Sequence, residues 1–239
     1  RRQRQMCIRD STCITYITYL TCKQIKKMKL LNLFSGTSSV SMPWREAGHQ
    51  VIDLDIDDTF APQIKVDILE WDKELPWIPD VIWSSPPCTE YSIAKTRGER
   101  NFALADSLVT KAMEIIQHFE SINPNLIWFL ENGAYSYLWK REVAKDLINF
   151  VILDYCQYGT FYRKRTRISH SANLHWQPRA LCNKNTCGAC VNGVHRQSAQ
   201  RGPDRGKDKQ FDQLSVHQLH ALPKALTEEI LQICESTLT

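Results

Sequence analysis

Cys88 stands directly behind two prolines in the stretch WSSPPCTEYS, residues 83–92. The residues before them, PDVIW, read as a buried strand, and a central strand ends where prolines begin. The thiol is therefore presented by a stiff turn at a strand end. A thiolate is a strong nucleophile, provided its pKa is lowered or its attack is coupled to proton transfer. No histidine lies near Cys88 in the sequence, which disfavours a Cys–His hydrolase. Glu131 ends another predicted strand, after the apolar run LIWFL. Desolvation there raises a carboxyl's pKa and suits it to donate a proton. The plainer readings are a loop cysteine and a capping acid.

A second group lies upstream. Phe34, Ser35, Gly36, Thr37, Ser38 and Ser39 make a small-residue turn at the end of the apolar run KLLNLF. Such a turn lets backbone N–H groups approach a nucleotide-like ligand, helped by the N-terminus of the helix that follows. It is not a full G-x-G-x-x-G, so by itself it is a weak signal. Asp55 ends the second strand, where an acid accepts hydrogen bonds from ribose hydroxyls. Asp53 and Asp57 share its face by alternation and compete for that role. Asp67 ends the third strand and suits an adenine amino group. One adenosine-containing cofactor accounts for these acids together; surface aspartates account for each singly.

These residues need elements to position them. Strands are predicted at 29–34, 49–57, 63–68, 80–85, 125–132, 151–159 and 165–171. Helical spacing runs from the SGTSS turn to the AG at 47–48, then over 102–119, 137–150 and 227–235. The alternation predicts an α/β fold, with a mostly parallel seven-stranded sheet and helices on both faces. Ligands bind such sheets at the carboxyl ends of the strands, where the turn, Asp55, Asp67, Cys88 and Glu131 all fall.

Residues 171–212 break this pattern and read as a short basic insertion. It carries Cys182, Cys187, Cys190 and His195, spaced C-x4-C-x2-C-x4-H. That spacing suits a small structural zinc site, whose metal can order a loop that lacks a core. Free thiols are the alternative, and His170 and His175 are further possible ligands.

The chain of 239 residues, 43% hydrophobic, is long enough for one domain with a substantial core. No apolar run reaches the length of a membrane span, so no membrane partner is expected. Residues 1–28 carry seven Lys/Arg against one Asp, and residues 163–209 eleven against two, while the whole chain is only +4. Positive charge gathered in one segment fits a polyanion partner. RRQRQMCIRDS resembles translated adapter sequence, so residues 1–27 read as a non-native or disordered extension, with Met28 a plausible start. A native basic arm is the alternative. Nine scattered cysteines favour a reducing, intracellular setting over a disulfide scaffold.

The chain resembles the S-adenosylmethionine-dependent cytosine-C5 DNA methyltransferases over roughly residues 29–170, and again near 211–235. LNLFSGTSS resembles the family's first motif, LDID its ribose-binding acid, VDI its third motif, SSPPCTEYS its Pro-Cys loop and ENG its Glu-Asn motif. The resemblance implies a Rossmann-like class I methyltransferase with its core at 28–170, a target-recognition-like insertion at 171–212, and a helical segment at 213–239 that completes the core. It implies Cys88 as nucleophile, Glu131 as the proton donor, and Asn132 as the residue that positions that carboxyl. Phe34 to Ser38, Asp55, Ile56, Asp67, Ile68, Pro87 and Leu108 would hold the cofactor. Ser85, Pro86, Thr89, Tyr91, Ser92, Arg163 and Arg167 would contact substrate, and segment 89–102 would close over it.

Two departures stand out. Ser38 replaces the first motif's second glycine. Where the family has Gln-x-Arg-x-Arg, this chain has Tyr162, Lys164 and Thr166 interleaved with Arg163, Arg165 and Arg167. Lys164 and Arg165 are the basic candidates for the catalytic pocket, and spacing leaves the choice open. ALPKALTEEI is the candidate last motif, with Leu222 and Pro223 as cofactor contacts. The implied partner is double-stranded DNA with its target base flipped out, and a cognate restriction endonuclease is a further one. A monomer is expected, in the cytoplasm, nucleoid or a viral replication compartment. An RNA cytosine-5 methyltransferase and a catalytically weak DNA-binding relative are the alternatives.

Overall fold

A computed structural model describes residues 26–199 and 214–238. The extension expected at 1–27, save its last two residues, and positions 200–212 of the insertion lie outside the described residues. Seven strands form one sheet: β1 (Lys29–Leu33), β2 (Gln50–Asp55), β3 (Ile64–Lys65), β4 (Val81–Ser84), β5 (Ile127–Gly133), β6 (Phe150–Asp154) and β7 (Arg165–His170). Their order across the sheet is β3-β2-β1-β4-β5-β7-β6. The β1, β2, β3, β4 and β5 pairings are parallel. β7 runs antiparallel to both of its neighbours. The expected α/β architecture is thus the observed one. Among the described residues no helix is long and apolar enough to cross a membrane.

Alternation along the strands sorts side chains between two cores. Leu30, Val81, Trp83, Ile127 and Phe129 pack on one face with Trp44, Leu226 and Ile230. Those last three come from α1 (Ser41–Glu46) and from α4 (Lys224–Leu238), which follows the short α3 (Val216–His220). Leu31, Leu33, Leu54 and Ile82 pack on the other face with Ile115, Ile116 and Phe119 of α2 (Phe102–Ile122). Central parallel strands covered on both sides need near-continuous apolar sequence, which is why KLLNL and VIW read so clearly. α2 starts where the Asn101 side chain accepts from the Leu104 N–H. Its buried residues Ala105, Val109, Ala112, Ile116 and Phe119 recur at helical spacing along one stripe.

α1 is only six residues long. Gly48, at φ 80°, ends it by taking the left-handed conformation that closes a helix. The turn after β1 therefore precedes a single short helix, and its ligand-binding capacity rests on its own backbone. Sequence periodicity failed over 137–150. In place of one helix there are two 3-10 turns, Tyr137–Lys140 and Glu142–Ala144, and β6 begins at Phe150. Arg141 between the turns is extended, and its guanidinium is drawn to Asp106 of α2 at 2.6 Å. Leu138, Ala144 and Leu147 then pack separately beside Tyr91, Val109 and Leu130. The third strand shrinks to two residues, and 155–158 forms a 3-10 turn instead of extending the sixth.

The insertion holds a hairpin that its composition concealed: β8 (Cys190–Val191) and β9 (Val194–His195). Asn192 (φ 50°) and Gly193 (φ 75°) turn it. Both left-handed positions of a tight two-residue turn are thereby filled by the residue types that tolerate them.

Candidate active site

β1 and β4 are neighbours, but the chain leaves them toward opposite halves of the sheet. The loops after them diverge and leave a crevice at the strand ends, as open α/β sheets require. A cavity of about 660 Å³ fills it, within the range of cofactor sites. Its walls include Phe34–Thr37, Asp55, Asp67, Cys88, Glu131, Lys164 and Leu222. Residues over 130 positions apart in sequence thus face one space.

Strand register brings the Cys88 loop and Glu131 together. Ser84 of β4 lies opposite Leu130 of β5, so Ser85 comes level with Glu131. The prolines then carry the chain to Cys88. Four hydrogen bonds fix that turn. The Asn132 side chain donates to the Pro86 carbonyl at 3.2 Å. The Tyr91 N–H donates to the Cys88 carbonyl at 3.1 Å, and the Tyr91 carbonyl accepts from Tyr137 N–H at 2.9 Å. The Tyr91 hydroxyl donates to Asp106 at 2.8 Å.

Glu131 is buried, and burial pushes its carboxyl above the usual range; the Lys164 ammonium and a Ser85 hydroxyl bond pull it part of the way back. Cys88 opens onto the cavity. Partial burial pushes its thiol up, Glu131 adds to this, and Lys164 opposes it. A carboxyl whose proton burial holds more tightly and a thiol that feels the Lys164 charge share one wall. Together they can protonate one atom of a flat heterocycle and add to another. Lys164 donates to the Leu219 carbonyl at 3.3 Å and lies over the Tyr155 ring. This resolves the choice that spacing left open: Lys164 is the cation whose charge reaches both groups. Arg165 also lines the cavity, but its guanidinium is paired with buried Asp154 at 2.6 and 2.9 Å and donates to the Tyr135 hydroxyl at 3.2 Å.

The other end of the cavity has the donors and acceptors of a nucleoside site. Asp55 accepts from Gly36 N–H at 2.8 Å and from Asp57 N–H at 2.9 Å, which locks the β1 turn to the end of β2 and leaves each oxygen a lone pair. Asp53 is excluded as its rival, because it is buried and bound by Asn32, Ser41 and Arg45. Asp57 caps the short turn 58–60. Asp67, Ile68, Ile56 and Leu108 line the remaining wall beside Phe34, so acids and apolar surface alternate around it. Ser39, absent from the expected set, lines the cavity and accepts from Leu222 N–H across 183 positions.

Ser38 is not a cavity residue. Its carbonyl accepts from Ser41 and Met42 N–H groups, and its φ is 55°. The position keeps the conformation a glycine would prefer, although it carries a side chain. The left-handed conformation costs a non-glycine residue about 1–2 kcal/mol, against about 0.5–1 kcal/mol of extra unfolded-chain entropy for glycine. Ser38→Gly is therefore expected to raise urea-unfolding stability by roughly 0.5–1 kcal/mol. A loss of that size would show that the serine side chain outweighs its backbone strain.

Other expectations need correction. Tyr91 is fully buried and anchors the Cys88 turn, so it is not a substrate contact. Asn132 holds the Pro86 carbonyl and its own neighbour's N–H, so it positions the cysteine turn instead of the carboxyl. Arg167 turns away from the cavity; it stacks on Phe150 and Trp139 and donates to the Leu147 carbonyl. Arg163 is exposed and lies outside the cavity lining. Ser85, Pro86, Pro87, Thr89 and Ser92 do line it. Segment 89–102 is cross-linked around Glu90, which accepts from Lys95 and Asn101 N–H, while Arg100 donates to three of its carbonyls.

The cysteine cluster also differs from its spacing. Ligand atoms of Cys156, Cys182, Cys187 and His195 all lie within 4.8 Å of one another. Cys190 lies beside Cys187 but outside this set. Cys156 replaces it from the turn after β6, a long-range partner that local spacing cannot reveal.

No family model matches the chain. It is 33% identical over 155 residues to the probable DNA (cytosine-5)-methyltransferase of Frog virus 3 (isolate Goorha), covering 58% of this chain and 68% of that protein. Among solved structures it is similar to the S. pombe Dnmt2 methyltransferase, at 12% identity and TM-score 0.43 over 70% of this chain and 57% of that one. It is also similar to a Spodoptera frugiperda DNMT2 mutant, at 16% identity and TM-score 0.40 over 75% and 56% of the two chains. The chain spans a little over half the length of these two structures.

Proposed function

The chain belongs to the cytosine-5 methyltransferase family, and on that premise we propose that it methylates carbon 5 of cytosine in DNA through a Cys88 adduct. The observation that carries this reading is the single cavity shared by Cys88, Glu131 and Lys164 at one end and by Asp55 and Asp67 at the other. DNA is the polymer because the viral relative is named a DNA methyltransferase.

S-adenosylmethionine is the cofactor, and when bound it supplies an electrophilic methyl group. Phe34, Gly36, Asp55, Ile56, Asp67 and Ile68 hold it, with acids for its hydroxyl and amino donors and apolar walls for its purine. A cytosine within a duplex is out of reach, so it leaves the stack at a cost of a few kcal/mol. The Cys88 thiolate adds to carbon 6 while Glu131 gives its proton to ring nitrogen 3. Carbon 5 gains the electron density it lacks and takes the methyl group. Loss of the carbon-5 proton re-forms the ring double bond, expels the thiolate and returns the nitrogen proton to Glu131. One proton is released per turnover. Lys164 favours both anions that form, the thiolate and the spent carboxylate.

The test is incubation with methyl-labelled cofactor and separate DNA and RNA pools, followed by bisulfite sequencing. Label at carbon 5 of DNA cytosines is expected. Label confined to RNA would move the same chemistry to the other polymer, and cofactor binding with no label in either would overturn the catalytic reading.

A further inference from the structure

We propose that Cys156, Cys182, Cys187 and His195 form a structural zinc site that clamps the insertion to the catalytic sheet. The four side chains come from three places: the turn after β6, the loop before β8, and β9. His195 Nε2 lies 3.5 Å from Cys182 Sγ and 3.8 Å from Cys187 Sγ. In a tetrahedral site with zinc–sulfur near 2.3 Å and zinc–nitrogen near 2.0 Å, the nitrogen–sulfur edge is about 3.5 Å. The observed separations match that edge.

The surroundings support a metal over a chance gathering of thiols. Cys156 and Cys187 are buried with Ala189 in a core too small to order a loop by itself. All three cysteines of the set are free thiols. Three thiolates and a neutral imidazole around a divalent ion leave one negative charge, and Arg163 and Lys184 are the cations that bear on His195. The Gln157 amide points at Cys156 and Cys187 sulfurs, at 3.8 and 3.7 Å. Such outer-shell donors orient ligands and tune a site.

The clamp reaches the cavity wall. Asp154 accepts from Cys182 N–H at 2.9 Å and from Arg165 at 2.6 Å with the same oxygen. A metal ligand and a cavity residue are thus held by one buried carboxylate. The zinc site itself stands whether or not the chain methylates DNA.

The full chain, purified under reducing conditions, is expected to carry one zinc per chain by mass spectrometry. Cobalt substitution is expected to give tetrahedral d–d bands and thiolate-to-cobalt charge transfer, with the melting temperature falling on chelation. Cys156→Ser should weaken metal binding by more than about 100-fold, since outer-shell changes alone cost 10–100-fold. Cys190→Ser should leave stoichiometry and spectrum unchanged. If Cys156→Ser is insoluble, Cys182→Ser on the partly exposed loop gives the same readout. Metal-free folded protein, a disulfide among these cysteines, or metal lost in Cys190→Ser and kept in Cys156→Ser would each overturn the proposal.

Discussion

Cys88→Ala is expected to lower methyl transfer by at least about 10³-fold, equivalent to about 4 kcal/mol of activation barrier. Carbon 5 of cytosine is a poor nucleophile, and only addition at carbon 6 makes it reactive. Among the described residues no other thiol lines the cavity to take over that step. The turn should survive, because its bonds run through the carbonyls of Pro86 and Cys88, which alanine at position 88 leaves in place. Cofactor affinity, read by calorimetry, should therefore change less than threefold. A 5-fluorocytosine substrate supplies an independent readout. Fluorine cannot leave as a proton does, so wild type should accumulate a covalent adduct resistant to denaturant, and the alanine variant none. A variant with wild-type turnover would remove Cys88 from the mechanism.

Glu131→Gln is expected to slow single-turnover methylation by roughly 10²–10⁴-fold, the usual worth of a positioned general acid. Glutamine can donate a hydrogen bond to ring nitrogen 3 but cannot give it a proton. The pH dependence should change as well. Burial raises Glu131, so its protonated form persists above the ordinary carboxylate range and is lost as pH rises through the raised value. That loss sets an alkaline limb on the wild-type rate, and the glutamine variant should lack it.

Stability should move the other way. Glu131 binds its proton more tightly in the folded state, so the folded chain loses stability as pH climbs from the ordinary carboxylate range to the raised value. Glutamine removes that loss. The variant should melt at or above the wild-type temperature at neutral pH, with the same temperature below pH 4. Wild-type single-turnover rates in it would refute the proton-donor role.

The sheet was legible because parallel strands covered on both faces demand apolar runs, and KLLNL, VIW and LIWFL supply them. Cys88 and Glu131 stood out because each follows such a run, Glu131 directly and Cys88 behind the two prolines that end β4. What failed depended on distant partners. Tyr91 reads as a loop residue beside the nucleophile, yet Asp106 and Tyr137 draw it inward. Arg163, Lys164, Arg165 and Arg167 look interchangeable in sequence, and only the Asp154 and Phe150 contacts separate them. Cys156 sits 26 positions before the other cysteines of its cluster, so no local pattern pointed to it. The helix expected at 137–150 gives way to two 3-10 turns around an extended Arg141, whose guanidinium pairs with Asp106 of α2.

Leu222 and His220 line the cavity, and α4 covers one face of the sheet with Leu226, Ile230 and Cys234. During synthesis these residues emerge after every strand of the sheet. Until then Leu30, Trp83 and Phe129 have no cover from α4, and the turn after β1 lacks the Leu222 N–H that Ser39 accepts. Cys88 and Glu131 are translated before α4, and the chamber around them closes only when α4 arrives. A ribosome-bound chain that lacks α4 would hold the reactive groups without a finished site, which ties the onset of cofactor binding to the emergence of α4.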